Sequence, residues 1–208
     1  MRAAARHLRL RDERGFTLTE LLTVMAVLSV LFAVFAGVFS STIRQSDEIE
    51  DESALLTEVR AAVDRLIEDL RQATTANVNA PVAIEAMSST SLTFLSPDRS
   101  QPFRLRRISY RLNGTVFERQ LATSTDTDDP ATDADTWTWP AAGPWQRLFD
   151  SVKPGTAVFT YEKDDGTTAT ALADVRTVNV SVVIVPPSSG GKELTYQSSA
   201  TLRAGEAN

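Results

Sequence analysis

Hydrophobic and polar positions divide the chain into three stretches. From Leu21 to Phe39 the sequence LLTVMAVLSVLFAVFAGVF carries no charge and no proline. At 1.5 Å of rise per residue, about 20 apolar residues cross a bilayer core, so this run is just long enough for a membrane helix. Further on, Leu55, Leu56, Val59, Val63, Leu66, Ile67 and Leu70 recur at helical spacing. Glu58, Arg60, Asp64, Arg65, Glu68, Asp69 and Arg71 fall between them, which describes an amphipathic helix with one packed and one wet face. No proline interrupts residues 16–76. The pattern therefore predicts one continuous helix about 90 Å long. Gly37 lies inside it, as a point for bending or as a notch for close helix packing.

After Asn77 the period falls to two. Leu92 and Phe94 alternate with polar residues, as do Ile108, Tyr110 and Leu112. So do Ala157, Phe159 and Tyr161; Val178, Val180, Val182 and Ile184; and Leu194, Tyr196, Ala200 and Leu202. Alternation of this kind predicts half-buried strands. Asn113-Gly114 and Asp165-Gly166 read as hairpin turns, and Pro186 to Gly191 as the loop between the last two strands. The predicted class is α+β: a long N-terminal helix, membrane-spanning in its first half, packed against an antiparallel β-sheet.

Charge gives the picture a direction. The 208 residues carry a formal net charge of -6. Residues 1–15 hold Arg2, Arg6, Arg9, Arg11 and Arg14 against Asp12 and Glu13, a net of +3 (5 minus 2), which leaves -9 for the remainder (-6 minus 3). Downstream of the apolar run, Arg44 is followed by Asp47, Glu48, Glu50, Asp51 and Glu52. Positive charge before the helix and acids after it keep the N-terminus cytoplasmic and place the bulk outside. An acidic outer chain is a poor general ligand for nucleic acid phosphates. There is no cysteine, and the single histidine is His7. If the basic front is removed, neither zinc ligation by Cys or His nor histidine base catalysis remains. Lys153, Lys163 and Lys192 would be the only lysines for any chemistry.

One residue resists the reading of a plain membrane anchor. Glu20 stands at the start of the apolar run. A carboxylate there costs up to roughly 3 kcal/mol at mid-bilayer and less near the interface, so it asks for a partner. A signal peptide cut after Ala36 and an uncut signal anchor both leave Glu20 unexplained. A cut after Gly15 would free the amine of Phe16, four residues before Glu20. The two charges could then pair within one chain, or between neighbours stacked with a small axial offset.

The run Arg14-Gly15-Phe16-Thr17-Leu18-Thr19-Glu20-Leu21-Leu22 resembles the prepilin cleavage motif of type IV pilins and type II secretion pseudopilins. It departs from the commonest form at Thr19, where an aliphatic residue is usual. The resemblance implies that a membrane prepilin peptidase cuts after Gly15 and methylates the amine of Phe16. It implies that Glu20 then neutralises the Phe16 amine of an adjacent subunit during assembly. It also implies a structural subunit rather than an enzyme, with no cofactor and no metal. Implied partners are the prepilin peptidase, other major and minor pilins and an inner-membrane assembly platform. The subunit would sit in the bacterial cytoplasmic membrane before assembly, and in a cell-surface or periplasmic filament afterwards. Expected domains are a leader at 1–15, a transmembrane and assembly half-helix at 16–40, an amphipathic half-helix at 41–77 and a β-sheet domain at 78–208. Looser likeness in RLIEDLRQA, in ISYRL with a following strand ending in Arg119, and in AVFTYEKDDG points to the J-type minor pseudopilins and their pilus counterparts.

Three further groups carry potential chemistry. Asp126, Asp128, Asp129, Asp133 and Asp135 lie in a variable loop near 123–146. Clustered carboxylates can ligate calcium, although the spacing matches no EF-hand and a solvated loop is the plainer reading. Trp137, Trp139 and Trp145 include every tryptophan of the chain, either as a contact surface or as a loop folded back over the sheet. The alternative to a structural subunit is a tip subunit whose Trp/Asp loop recognises a surface or DNA, and Arg104, Arg106, Arg107 and Arg111 could contact DNA in a pilus that serves uptake. Strand parity divides them between faces, so nucleic acid is not the expected partner.

Overall fold

The computed structural model describes residues 17–76, 83–98, 104–127, 137–187 and 190–202. The chain divides into two compact units, Met1–Asp47 and Glu48–Asn208. Helix α1 runs from Leu18 to Arg71, close to the expected span, and passes through Gly37 without a break.

In the first unit every described side chain from Leu18 to Ile43 is exposed. This stretch of 26 residues is long and apolar enough to cross a membrane. Its polar side chains are largely satisfied by the helix itself. Ser29 Oγ donates to Met25 O at 2.7 Å, Ser40 Oγ to Ala36 O at 2.8 Å and Thr42 Oγ1 to Val38 O at 3.0 Å. Hydroxyls bonded back to the preceding turn present little unmet polarity to an apolar medium.

In the second unit the helix turns an apolar face inward. Val59, Val63, Leu66 and Leu70 are fully buried, with Ala62 and Ile67 beside them. Each large side chain so buried stabilises the fold by roughly 1.5–3 kcal/mol. Two antiparallel sheets share this core. The first has five strands in sequential order: β1 (Ile84–Met87), β2 (Ser91–Asp98), β3 (Arg104–Asn113), β4 (Val116–Thr123) and β5 (Gln146–Phe149). The second has three, β6 (Phe159–Glu162), β7 (Thr177–Ile184) and β8 (Leu194–Thr201), with a short 3-10 turn at Leu172–Asp174 before β7. A single predicted sheet is therefore resolved into two.

An aromatic ladder joins them. Phe94, Tyr110, Phe117 and Phe149 stack in succession across β2 to β5, with centroids 5.1–6.3 Å apart, and Phe159 of β6 meets Phe117 at 6.2 Å. The side-chain alternation read from the sequence is the alternation of burial along β2, β3 and β7.

Two local expectations shift. The β3–β4 hairpin pairs Asn113 with Val116, so its central residues are Gly114 and Thr115 rather than Asn113 and Gly114. Gly114 has φ +64°, which a hairpin turn with glycine first requires and which a side chain would oppose. The strand expected to end in Arg119 continues to Thr123, because Gln120, Leu121 and Ala122 still pair with β3.

Candidate functional site

Helix α1 starts at Thr17. Its carbonyl accepts the N–H groups of Glu20 at 3.0 Å and Leu21 at 3.1 Å, and its Oγ1 accepts a longer second bond from Glu20 N–H at 3.3 Å. Threonine at the helix cap with glutamate three residues on is the spacing of a capping box. Glu20 is exposed in the first turn, where the unpaired amides of the helix end favour a negative charge. Glu20 thus has a local role beside any intersubunit one. The Thr-x-x-Glu spacing is legible in the sequence beside the charge of Glu20. Gly15 and Phe16 lie outside the described residues, so of the predicted assembly pair only Glu20 has a described place.

Behind Glu20 the helix offers an apolar surface. Phe32, Phe35 and Phe39 are exposed to 67%, 76% and 65% of their areas, and the leucines and valines around them are comparably open. Large side chains left bare in this number call for a lipid or protein partner.

The other candidates have local occupations. Arg107 makes two bonds to Glu85 and lies over the ring of Trp139 at 4.2 Å. Arg111 bonds Glu118 at 2.8 Å and lies over Trp145 at 3.9 Å. Trp137 Nε1 donates to Ala76 O at 2.6 Å. These contacts fold the tryptophan segment back over the outward face of the first sheet. Arg106 donates to Pro97 O at 3.1 Å. Of the loop acids only Asp126 is described, and its carboxylate accepts Thr138 N–H; Asp128, Asp129, Asp133 and Asp135 lie outside the described residues. Among the described residues no group of three metal-ligating side chains converges. Lys153, Lys163 and Lys192 pair with Glu193, Asp174 and Glu52.

One cluster is not legible in the periodicity. Asp69 was expected on the wet face, but its side chain is only 13% exposed. It accepts Tyr110 OH and Arg119 Nη2, both at 3.1 Å, while Arg119 Nε donates to Tyr110 OH at 3.1 Å. Arg119 is 4% exposed. Helix and sheet are therefore joined by a buried ion pair as well as by apolar packing. Burial raises the Tyr110 hydroxyl far above its ordinary pKa of 10.0, and the Asp69 charge adds to the shift. The signal was a charged residue at the boundary of the helix's packed arc, which periodicity alone assigns to solvent.

A family model described as the prokaryotic N-terminal methylation motif matches residues 10–36, the stretch that holds Gly15, Phe16, Glu20 and most of the apolar run. No curated protein matches the chain. A methylation motif overlapping an apolar, membrane-capable helix, within an α+β chain, supports a type IV prepilin-like protein.

Proposed function

We propose that the chain is a minor pilin or minor pseudopilin: a structural subunit cut after Gly15, methylated at Phe16 and built into a filament through the first half of α1. The reading is carried by one observation. The methylation motif runs into and overlaps a 26-residue apolar segment, Leu18–Ile43, that is exposed throughout. Before assembly lipid would cover it, and in the filament the corresponding helices of other subunits would. The five arginines before the apolar run favour a cytoplasmic N-terminus and an outer globular unit. Partners in this reading are the prepilin peptidase, an inner-membrane platform and other pilins. The paired lysines and the stacked tryptophans support a scaffold rather than a catalyst or an open binding face.

In the assembled state Glu20 would neutralise the Phe16 amine of a neighbour. Replacing Glu20 with Ala tests this. Leader removal, read by mass, is expected to persist, while incorporation into filaments, read by immunoblot of the sheared fraction, falls sharply. Incorporation at the wild-type level would remove the pairing role.

A further inference from the structure

The strand edges of the globular unit are closed in different ways. β1 is four residues long, shifts register between Ile84 and Ala86, and lies beside the turn at Leu172–Asp174. β5 is four residues long, carries Arg147, and faces a register shift between Phe117 and Glu118. β6 is also four residues long, and its outer side is occupied: Phe159 N–H donates to Ser89 O at 3.0 Å, and Tyr161 O accepts Ala169 N–H at 2.8 Å. Short length, charge, bulges and covering loops are the usual protections of an edge.

Among the described residues β8 has none of these. Its eight residues, LTYQSSAT, contain no charge and no proline, and they pair with β7 in unbroken register from Leu194↔Ile184 to Thr201↔Thr177. Leu202 N–H donates to Arg176 O at 2.7 Å, which fixes the phase of the ladder. By the alternation of antiparallel pairs, Ala200, Ser198, Tyr196 and Leu194 turn their amide groups to β7. Thr195, Gln197, Ser199 and Thr201 turn theirs away. Lys153 N–H bonds Val183 O at 2.8 Å, on the side of β7 away from β8, which agrees with this phase. The side chains of Thr195, Gln197, Ser199 and Thr201 are exposed, and no backbone partner meets their outward amides among the described residues.

We propose that β8 is a pairing edge that takes β8 of a second copy of this chain, antiparallel, about a two-fold passing through Ser198. That register engages every outward residue, with Thr195 opposite Thr201 and Gln197 opposite Ser199. A shift by one position would oppose inward-bonded groups, and a shift by two would leave either Thr201 or Thr195 opposite a position beyond the end of the strand. On the solvent face the pairs are hydroxyl and amide side chains. On the other face Tyr196 meets Ala200 and Leu194 meets Leu202, so the large ring faces a small side chain. Because the strand is uncharged, it can face itself without like charges meeting. Copies held in one membrane would meet at raised effective concentration. That clause alone rests on the proposed function; the pairing chemistry stands on the strand itself.

The absence of native cysteine makes the test clean. Two differently tagged full-length copies, one with Gln197→Cys and one with Ser199→Cys, are co-expressed and oxidised gently in membranes. The 197–199 link is expected to dominate over the 197–197 and 199–199 links. Thr195→Pro in both copies removes an outward N–H while leaving the β7 bonds intact, so the link is lost while the thermal midpoint stays close to its original value. Three results would each overturn the pairing: no link, equal links in all three combinations, or a link only to a different protein. The mature N-terminal mass of the same preparation reports leader processing separately. A 197–199 link without processing contradicts the proposed function and leaves the pairing intact.

Discussion

The two halves of α1 belong to one helix and meet opposite fates. From Leu18 to Ile43 its apolar side chains are exposed. From Val59 to Leu70 a comparable set of aliphatic side chains is buried in the core shared with both sheets. Composition already separates them, with no charge from Leu21 to Phe39 and seven charged residues from Glu58 to Arg71. The pattern says what each half needs, being apolar all round in one and apolar on one arc in the other. An all-round apolar helix needs an environment that surrounds it, whereas a one-sided helix needs only a sheet to lie on. The first half is therefore suited to a surrounding of lipid or protein, and the second to its own fold.

This contrast is open to breakage at several points. The largest effect is expected from Asp69→Ala, which leaves the Arg119 guanidinium buried without its counter-charge. A loss of about 3–5 kcal/mol of unfolding free energy is expected in denaturant titrations of the detergent-solubilised chain. Replacing Asp69 and Arg119 together with apolar residues should recover much of that loss. Recovery would separate the cost of an orphaned charge from the worth of the pair.

Leu66→Ala follows, with a loss of about 2–5 kcal/mol from the cavity left in the core. The matched change in the first half, Leu31→Ala, should leave the unfolding of the globular unit unchanged within about 0.5 kcal/mol. Equal losses in the two variants would erase the distinction between the halves. A charge in the first half acts on insertion instead. Leu31→Lys should disfavour membrane insertion by about 2.5–3.5 kcal/mol, read as a smaller membrane-bound fraction after alkaline extraction.

The smallest effect is a pH dependence of the globular unit on which the second half lies. Tyr110 and Tyr161 both have their hydroxyl pKa raised above 10.0, chiefly by burial. A raised folded pKa gives stability that is complete below the unfolded value and is lost as pH climbs through the folded one. Unfolding of the globular unit should therefore ease above about pH 10, and Tyr110→Phe should blunt that dependence.

The sequence made the strong periodicities legible. The apolar run, the amphipathic arc and five of the eight strands, β2, β3, β6, β7 and β8, follow from the spacing of side chains that face one environment. β1 and β5 escaped notice because four residues are too few to set a period, and the chain around them pairs only through the sheet. The division into two sheets was hidden for a related reason: alternation tells which face of a strand is buried but not which strand lies beside it. Asp69 was misplaced because a charged residue reads as solvated until its partner, 50 positions away, is known. At the N-terminus the carboxylate of Glu20 stood out against its apolar surroundings, yet the cap made by Thr17 needed the helix start to be located first.

The central claim is that the exposed half of α1 becomes the leading end of a processed subunit. Mass spectrometry of the N-terminal peptide from the membrane-held or filament-borne chain measures it directly. The account predicts a first residue of Phe16 carrying an added methyl group on its amine. A mature chain beginning beyond Glu20, for instance near Gly37, would contradict it.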